Sequence, residues 1–230
     1  MPLETGQGFA MQPPQTTPSA ATVDLARIAR DPRVQRFPGS ALILFQQKQF
    51  LTPEECAALI SVIDARRRPS TIADANGDAL FRTSETCDLD HGDPLVAAID
   101  ARIANWLGID AAHGEPIQGQ RYAAGQEFKP HTDYFEPRGP DYARYCSVAG
   151  NRTWTAMIYL NEPAEGGATR FTKIGKTIRP QAGKILVWSN KRPDGALNPD
   201  SIHHGMKVRR GTKYVITKWY RERPWTNGKA

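Results

Sequence analysis

Arg121-Tyr122-Ala123-Ala124-Gly125-Gln126-Glu127-Phe128-Lys129-Pro130-His131-Thr132-Asp133 spans two candidate strands, 117–123 and 127–134, and its reading decides the fold. Alternate residues of a strand face the same side, so the spacing predicts that His131 and Asp133 share a face while Thr132 points away. Aromatic side chains flank the pair at Tyr122, Phe128, Tyr134 and Phe135. Further short runs of strand length follow at 153–160, 168–171, 176–179, 184–188, 202–208 and 213–220. Turn formers separate them, among them Glu165-Gly166-Gly167, Gln181-Ala182-Gly183 and Arg210-Gly211.

Upstream the pattern is mainly helical. Ser40–Phe45 is an apolar run of strand length, and Thr52-Pro53-Glu54-Glu55 is a helix start with Thr as N-cap, Pro first and Glu third. That helix is predicted to run to about Arg66, with Cys56, Leu59, Ile60 and Ile63 inward. A second opens at Asp93-Pro94 and turns Leu95, Val96, Ile99, Ile103 and Leu107 inward. Helices first and short strands afterwards predict an α+β fold: a double-stranded β-helix (jelly-roll) core flanked by N-terminal helices. The expected organisation is a flexible tail over 1–22, then a single domain over 23–230. Its helical support covers about 40–110 and its jelly-roll core about 115–223. The segment 135–152 is too polar and proline-rich for a strand and reads as a long loop, placed to act as a lid.

At 230 residues, 40% hydrophobic and 23% charged, the composition is that of an ordinary globular protein. No apolar run approaches the roughly 20 residues that cross a bilayer, so no membrane partner is expected. The N-terminus has no basic region followed by an apolar one, so a secretory leader is not expected either. Cys56, Cys87 and Cys146 are odd in number and far apart, which speaks against a disulfide framework and a cysteine zinc site. A reducing, cytoplasmic setting is the expectation. The net charge of +6 is scattered, and Arg66-Arg67-Arg68 falls at a predicted helix C-terminus, where cations suit the dipole. Without aromatic–basic interleaving, nucleic acid is not an expected partner.

Three His-x-acid triplets occur: His91-Gly92-Asp93, His113-Gly114-Glu115 and His131-Thr132-Asp133. The first two carry Gly in the middle and Pro after the acid, which suits a turn or a cap. Only the third lies in a strand-like context with a later imidazole to join it. Ser201-Ile202-His203-His204-Gly205 supplies that imidazole, and neighbours on a strand face opposite ways, so only one of the two His can look inward. Two His and one Asp make the ligand set of a non-haem Fe(II) site with open coordination positions. Lys213, ten residues beyond His203, is the cation that a dianion such as 2-oxoglutarate would need.

Arg121-Tyr122-x-x-Gly125-Gln126-x-Phe128-x-Pro130-His131-x-Asp133 resembles the first metal motif of the prolyl 4-hydroxylase branch of Fe(II)/2-oxoglutarate dioxygenases. Arg152-Thr153-Trp154-Thr155, Tyr159-Leu160-Asn161 and Glu165-Gly166-Gly167-x-Thr169-x-Phe171 are similar to its central strands. Gly183 to Asn190 and His203-x-Gly205-x-x-Val208-x-x-Gly211-x-Lys213 are similar to its closing motifs, and Arg82-Thr83-Ser84 also fits. The resemblance implies that His131, Asp133 and His203 are the metal ligands and catalytic residues, with His204 in a position usually held by a small residue. It implies that Lys213 holds the distal carboxylate of 2-oxoglutarate and that Tyr122 and Thr169 hydrogen-bond it. Fe(II), 2-oxoglutarate and O2 are the implied cofactors, with ascorbate as a reductant.

The implied reaction hydroxylates an unactivated C–H bond and releases succinate and CO2. A prolyl residue in a peptide or protein is the expected substrate, with Arg82, Tyr134, Trp219 and the 135–152 loop as contacts. The same chemistry on a free amino acid or small metabolite is one alternative, and a non-catalytic metal- or ligand-binding sensor module is another. The complete ligand set and Lys213 speak against the latter. Two departures, Lys207 for the usual proline and Tyr214 for the usual tryptophan, are expected near the cosubstrate or substrate end.

Overall fold

A computed structural model of the chain describes residues 22–71, 78 and 80–225. The expected tail lies outside them, apart from Thr22. The helices are α1 (Leu25–Arg30), α2 (Pro53–Arg66), α3 (Pro94–Leu107) and α4 (Tyr142–Cys146). The N-terminal strands are β1 (Val34–Arg36), β2 (Leu44–Gln47), β3 (Arg68–Pro69) and β4 (Glu85–Asp88). Next come β5 (Gln118–Tyr122), β6 (Phe128–His131), β7 (Arg152–Tyr159), β8 (Glu165–Gly166) and β9 (Thr169–Phe171). The last are β10 (Lys176–Ile178), β11 (Ile185–Ser189), β12 (His203–Gly205), β13 (Val208–Arg210) and β14 (Lys213–Arg221).

The helix starts follow their caps. Thr52 accepts from the Glu55 amide, and the Glu55 carboxylate accepts from the Thr52 amide at 2.9 Å, closing a capping box. Asp93 accepts from the amides of Leu95 and Val96, and α3 stops on Gly108, held in the left-handed region at φ 68°. Cys56, Leu59 and Ile63 of α2 and Val96, Ile99, Ile103 and Leu107 of α3 are buried, each of the larger ones contributing about 1.5–3 kcal/mol. Gly119 lets α2 lie close on the sheet, since a Cβ there would sit 2.5 Å from Ile63 Cγ1.

The strands form an eight-stranded sheet in the order β1-β2-β11-β7-β14-β5-β4-β3, a four-stranded sheet β10-β9-β12-β6, and the pair β13-β8. Alternation along β7 and β14 divides their side chains between two cores. Trp154, Ala156, Ile158, Tyr214, Ile216 and Tyr220 pack with the α2 and α3 residues. Met157, Tyr159 and Val215 pack instead with Trp188, Phe171 and Val208. The large sheet is thus covered by helices on one face and by the small sheets on the other, an antiparallel jelly-roll arrangement with helices at the back.

Some expected boundaries shift. The strand expected over 127–134 ends at His131, and 202–208 divides into β12 and β13 around Met206-Lys207. The run at 40–45 pairs only from Leu44 onward, and β2 to β4 join the large sheet from the stretch read as helical support, with β1 just ahead of it. β1, β3 and β4 are short and polar, as Glu85-Thr86-Cys87-Asp88 illustrates, so no apolar alternation marks them. The four strands form because β11 and β5 offer pairing edges to β2 and β4. The 135–152 segment is not a strand, but it carries α4. Cys56, Cys87 and Cys146 are free and buried.

Candidate metal centre and cosubstrate cavity

β6 and β12 pair antiparallel, so His131 and His203 stand opposite one another with ring centroids 4.3 Å apart. Asp133 arrives differently from the expectation: it lies in the bend beyond the end of β6, so strand alternation does not place it. Its Oδ1 is 3.9 Å from His131 Nε2, and its Oδ2 is 3.9 Å from His203 Nε2. One ligand atom from each of the three residues lies within 4.8 Å of the others. His204 faces the other way and meets Glu127 Oε2 at 2.9 Å.

The Nδ1 atoms of His131 and His203 contact carbonyl oxygens of Lys129 at 2.8 Å and Ser201 at 3.0 Å. A carbonyl only accepts, so each Nδ1 carries the proton and each Nε2 presents a lone pair inward. Burial, reinforced by the neighbouring His203, pushes His131 down to about 3, so it is neutral near pH 7. Burial alone would raise Asp133, but its interactions with His203, His131 and Arg152 and the hydrogen bond from Thr155 outweigh it and hold the carboxyl below its ordinary range. Phe128 stacks on His131 at 3.5 Å, and Trp188 packs edge-on against His203 at 4.7 Å. Two imidazole nitrogens and one carboxylate, with the Phe128 and Trp188 rings against them, fit Fe(II).

A cavity of about 510 Å³ holds this trio together with Lys213, Tyr122 and Thr169. Lys213 is 2% exposed, and among the described residues no carboxylate pairs with it. Its ammonium lies 4.9 Å from the Tyr122 ring centre and 5.5 Å from that of Tyr159. Burial pushes its pKa down to about 7. A buried cation without a counter-ion is costly, and the distal carboxylate of 2-oxoglutarate would supply one. Thr169 Oγ1 accepts from the Tyr159 hydroxyl at 2.6 Å, and the Tyr122 hydroxyl donates to Gln120 Oε1 at 2.8 Å.

Arg82, Tyr134 and Trp219 line the same cavity. The Arg82 guanidinium lies 4.9 Å from the Phe128 ring centre and donates to Ser84 Oγ, Thr86 Oγ1 and Gln118 Oε1, each at 3.1 Å. The Arg152 guanidinium lies 3.9 Å from the Trp219 ring centre, and the Trp219 indole N–H has no partner among the described residues. Phe135, Tyr142 and Tyr145 of the 135–152 segment reach the cavity too. Asn151 ties the base of that segment, accepting from the Phe135 amide at 2.9 Å and donating to its carbonyl at 2.8 Å.

Two corrections, at Glu115 and Tyr214, concern the surroundings. The triplets at His91 and His113 stay off the metal centre, yet Glu115 is a buried cavity residue rather than a turn acid. Its Oε1 lies 2.6 Å from both Arg152 Nε and Arg221 Nε. No local pattern marked it, since its partners come 37 and 106 residues later. Tyr214, expected near the cosubstrate, points to the helix side, where its hydroxyl meets Asp64 at 2.9 Å. Lys207 is an exposed residue whose ammonium lies 3.4 Å from Glu127 Oε1.

Residues 117–221 match the 2OG-Fe(II) oxygenase superfamily. The chain is 34% identical over 199 residues to "Probable prolyl 4-hydroxylase 3" of Arabidopsis thaliana, covering 76% of this chain and 68% of that one. It is 33% identical over 195 residues to "Prolyl 4-hydroxylase 5" of the same plant, covering 74% and 65%. Among solved structures it resembles the viral collagen prolyl hydroxylase of Paramecium Bursaria Chlorella virus-1, with TM-score 0.60, 24% identity, and coverage of 77% of this chain and 95% of that one. A Pseudomonas putida prolyl-4-hydroxylase shares the fold at TM-score 0.53 and 23% identity, covering 78% and 92%. By its sequence relatives, the chain belongs to the 2-oxoglutarate- and Fe(II)-dependent oxygenase superfamily, in its prolyl 4-hydroxylase branch.

Proposed function

We propose that this chain is a dioxygenase that hydroxylates a prolyl residue in a peptide or protein, using His131, Asp133 and His203 to hold Fe(II). The observation that carries the reading is Lys213: a buried ammonium without an acid partner among the described residues, in the same cavity as a two-His, one-Asp cluster. Prolyl 4-hydroxylase is the name of the relatives that share a third of their aligned residues with it. When bound, Fe(II) and 2-oxoglutarate supply oxygen activation with release of succinate and CO2.

The chain's own groups divide the remaining work. His131 and His203 offer imidazole nitrogens, and Asp133 brings the one negative charge that offsets the dication. Lys213 pairs with the distal carboxylate of the cosubstrate, a charge-assisted contact in a desolvated site. Thr169 keeps its own proton free to donate, because its oxygen already accepts from Tyr159. Tyr122 donates its one proton to Gln120, which in this arrangement leaves none for the cosubstrate carboxylate that the sequence reading assigned to it. Trp219 offers an unpartnered N–H to a peptide carbonyl, while Tyr134 and the aromatic residues of the 135–152 segment exclude water around the substrate.

The test supplies Fe(II), 2-oxoglutarate and ascorbate, and measures succinate and hydroxyproline on proline-containing peptides and on free proline. Peptide-dependent formation of both products, lost in Asp133→Ala, is expected. Turnover on free proline alone would replace the peptide by a small molecule, and near wild-type turnover in Asp133→Ala would remove the metal assignment.

A further inference from the structure

We propose that Thr155 and Asn190 form a positioning relay that holds Asp133 as a one-oxygen metal ligand; this rests on the metal site proposed above. Asp133 needs such a device more than its partners do. His131 and His203 are fixed by strand pairing and by an Nδ1–carbonyl bond each. Asp133 sits in a bend past the strand end, where the ladder no longer determines where its carboxylate points. Arg152 Nη1 reaches its backbone carbonyl only at 3.4 Å. The hold on its side chain comes from Thr155, whose Oγ1 lies 2.7 Å from Asp133 Oδ2.

The direction of every hydrogen bond follows from chemistry. An ionised carboxylate only accepts, so Thr155 donates its hydroxyl proton to Asp133. The lone pairs of that hydroxyl are then free, and Asn190 Nδ2 donates to Thr155 Oγ1 at 2.9 Å. The Asn190 backbone is pinned in turn, its N–H donating to Thr153 O at 2.8 Å and its main-chain carbonyl accepting from Asn198 N at 2.9 Å. Both Thr155 and Asn190 are fully buried, so water does not compete for these bonds. In register Thr155 stands between Trp188 and Trp219 on the cavity face of the large sheet. The relay therefore runs from the end of β11, across β7, to the bend after β6.

The bond to Oδ2 leaves Oδ1 as the ligand atom. An ion with six positions and three single-atom protein ligands keeps three for a two-point cosubstrate and O2. A carboxylate that swung in with both oxygens would take one of those away. A hydroxyl donor on the second oxygen opposes that swing, and partners of this kind typically alter metal affinity by about 10–100-fold when removed.

The probe is Co(II), titrated anaerobically into the full chain by competition with a chelator, so that the readout is affinity rather than activity. Thr155→Val keeps the shape and removes the hydroxyl, and is expected to weaken Co(II) binding by about 10–100-fold. Thr155→Ser should restore it to within about threefold, since the hydroxyl returns, and Asn190→Ala should fall between. Equal affinity in the wild type and Thr155→Val overturns the relay. If Thr155→Val does not fold, unchanged affinity in Asn190→Ala does the same. The wild type gives a reading of its own: the infrared difference between metal-loaded and apo protein should carry the wide carboxylate splitting of a one-oxygen ligand. A narrow, chelating splitting overturns the proposal whatever the variants do. Failure of the wild type to bind Co(II) at all would instead sink the metal site itself.

Discussion

His131 and His203 are held by the same local device: each directs Nδ1 to the carbonyl two residues before it, Lys129 in one case and Ser201 in the other. Antiparallel pairing of β6 with β12 then sets the two imidazoles side by side, their centroids 4.3 Å apart and their planes tilted by 56°. A tautomer fixed twice by backbone leaves both Nε2 atoms as donors to one point, which a chance pair of histidines would not do.

His204 tests that geometry, because it adjoins His203 but reaches Glu127 on the opposite side. Anaerobic addition of Fe(II) and 2-oxoglutarate should give a weak visible charge-transfer band in the wild type and in His204→Ala, and none in His203→Ala. A band that survives in His203→Ala would move the metal elsewhere.

Lys213 makes cosubstrate binding depend on pH. With its pKa pushed down to about 7, much of the free protein carries a neutral amine at pH 8.5. A dianion binds the charged form, so association should take up close to one proton at that pH. The apparent affinity should weaken by up to about tenfold for each pH unit above 7. Calorimetry in two buffers of different ionisation enthalpy measures the uptake. Lys213→Arg, charged at all these pH values, should abolish it.

The same burial sets a stability penalty. The folded pKa of Lys213 lies below its ordinary value of 10.5. The cost of burying the ammonium is therefore fully present below pH 7 and is relieved as pH rises toward 10.5. Lys213→Met should melt at a higher temperature than the wild type at pH 6, by about 2–4 °C for each kcal/mol relieved. The difference should shrink at pH 9, and 2-oxoglutarate should raise the melting temperature of the wild type alone. A variant less stable than the wild type at pH 6 would show that Lys213 has a counter-ion.

What could be read in advance follows from whether the signal is local. The capping residues Thr52 and Asp93 act within a turn of helix, so the starts of α2 and α3 were legible to the residue. The long central strands β7 and β14 alternate between two cores and were legible as well. β2 was half legible, through the apolar run ending at Phe45, but β1, β3 and β4 were not, because their own residues are too few and too polar to show alternation. His131 and His203 could be found by type and context, but Asp133 reached the centre through a bend that a two-residue period does not describe. Thr155, Asn190, Arg152 and Glu115 were hidden for a further reason: their chemistry exists only once strands from distant segments meet.

Glu115 carries the largest expected effect on the fold. It is buried between Arg152, which grips both of its oxygens at 2.6 and 2.8 Å, and Arg221 at 2.6 Å. Burial alone would raise its pKa, but the two guanidinium charges outweigh that and hold it below its ordinary value of 4.5. Such a group contributes stability that is present above pH 4.5 and lost as pH falls through its folded pKa. Glu115→Gln leaves two buried arginines facing each other without their counter-ion. It should cost about 3–5 kcal/mol at pH 7, a fall of roughly 6–20 °C in melting temperature. The deficit should narrow below pH 4.5, where the carboxyl of the unfolded wild-type chain takes up its proton while the folded one still resists it. Thermal melts of both proteins at pH 7 and pH 4 decide the matter: a gap that is small at pH 7, or that widens in acid, would mean the arginines are neutralised by something other than Glu115.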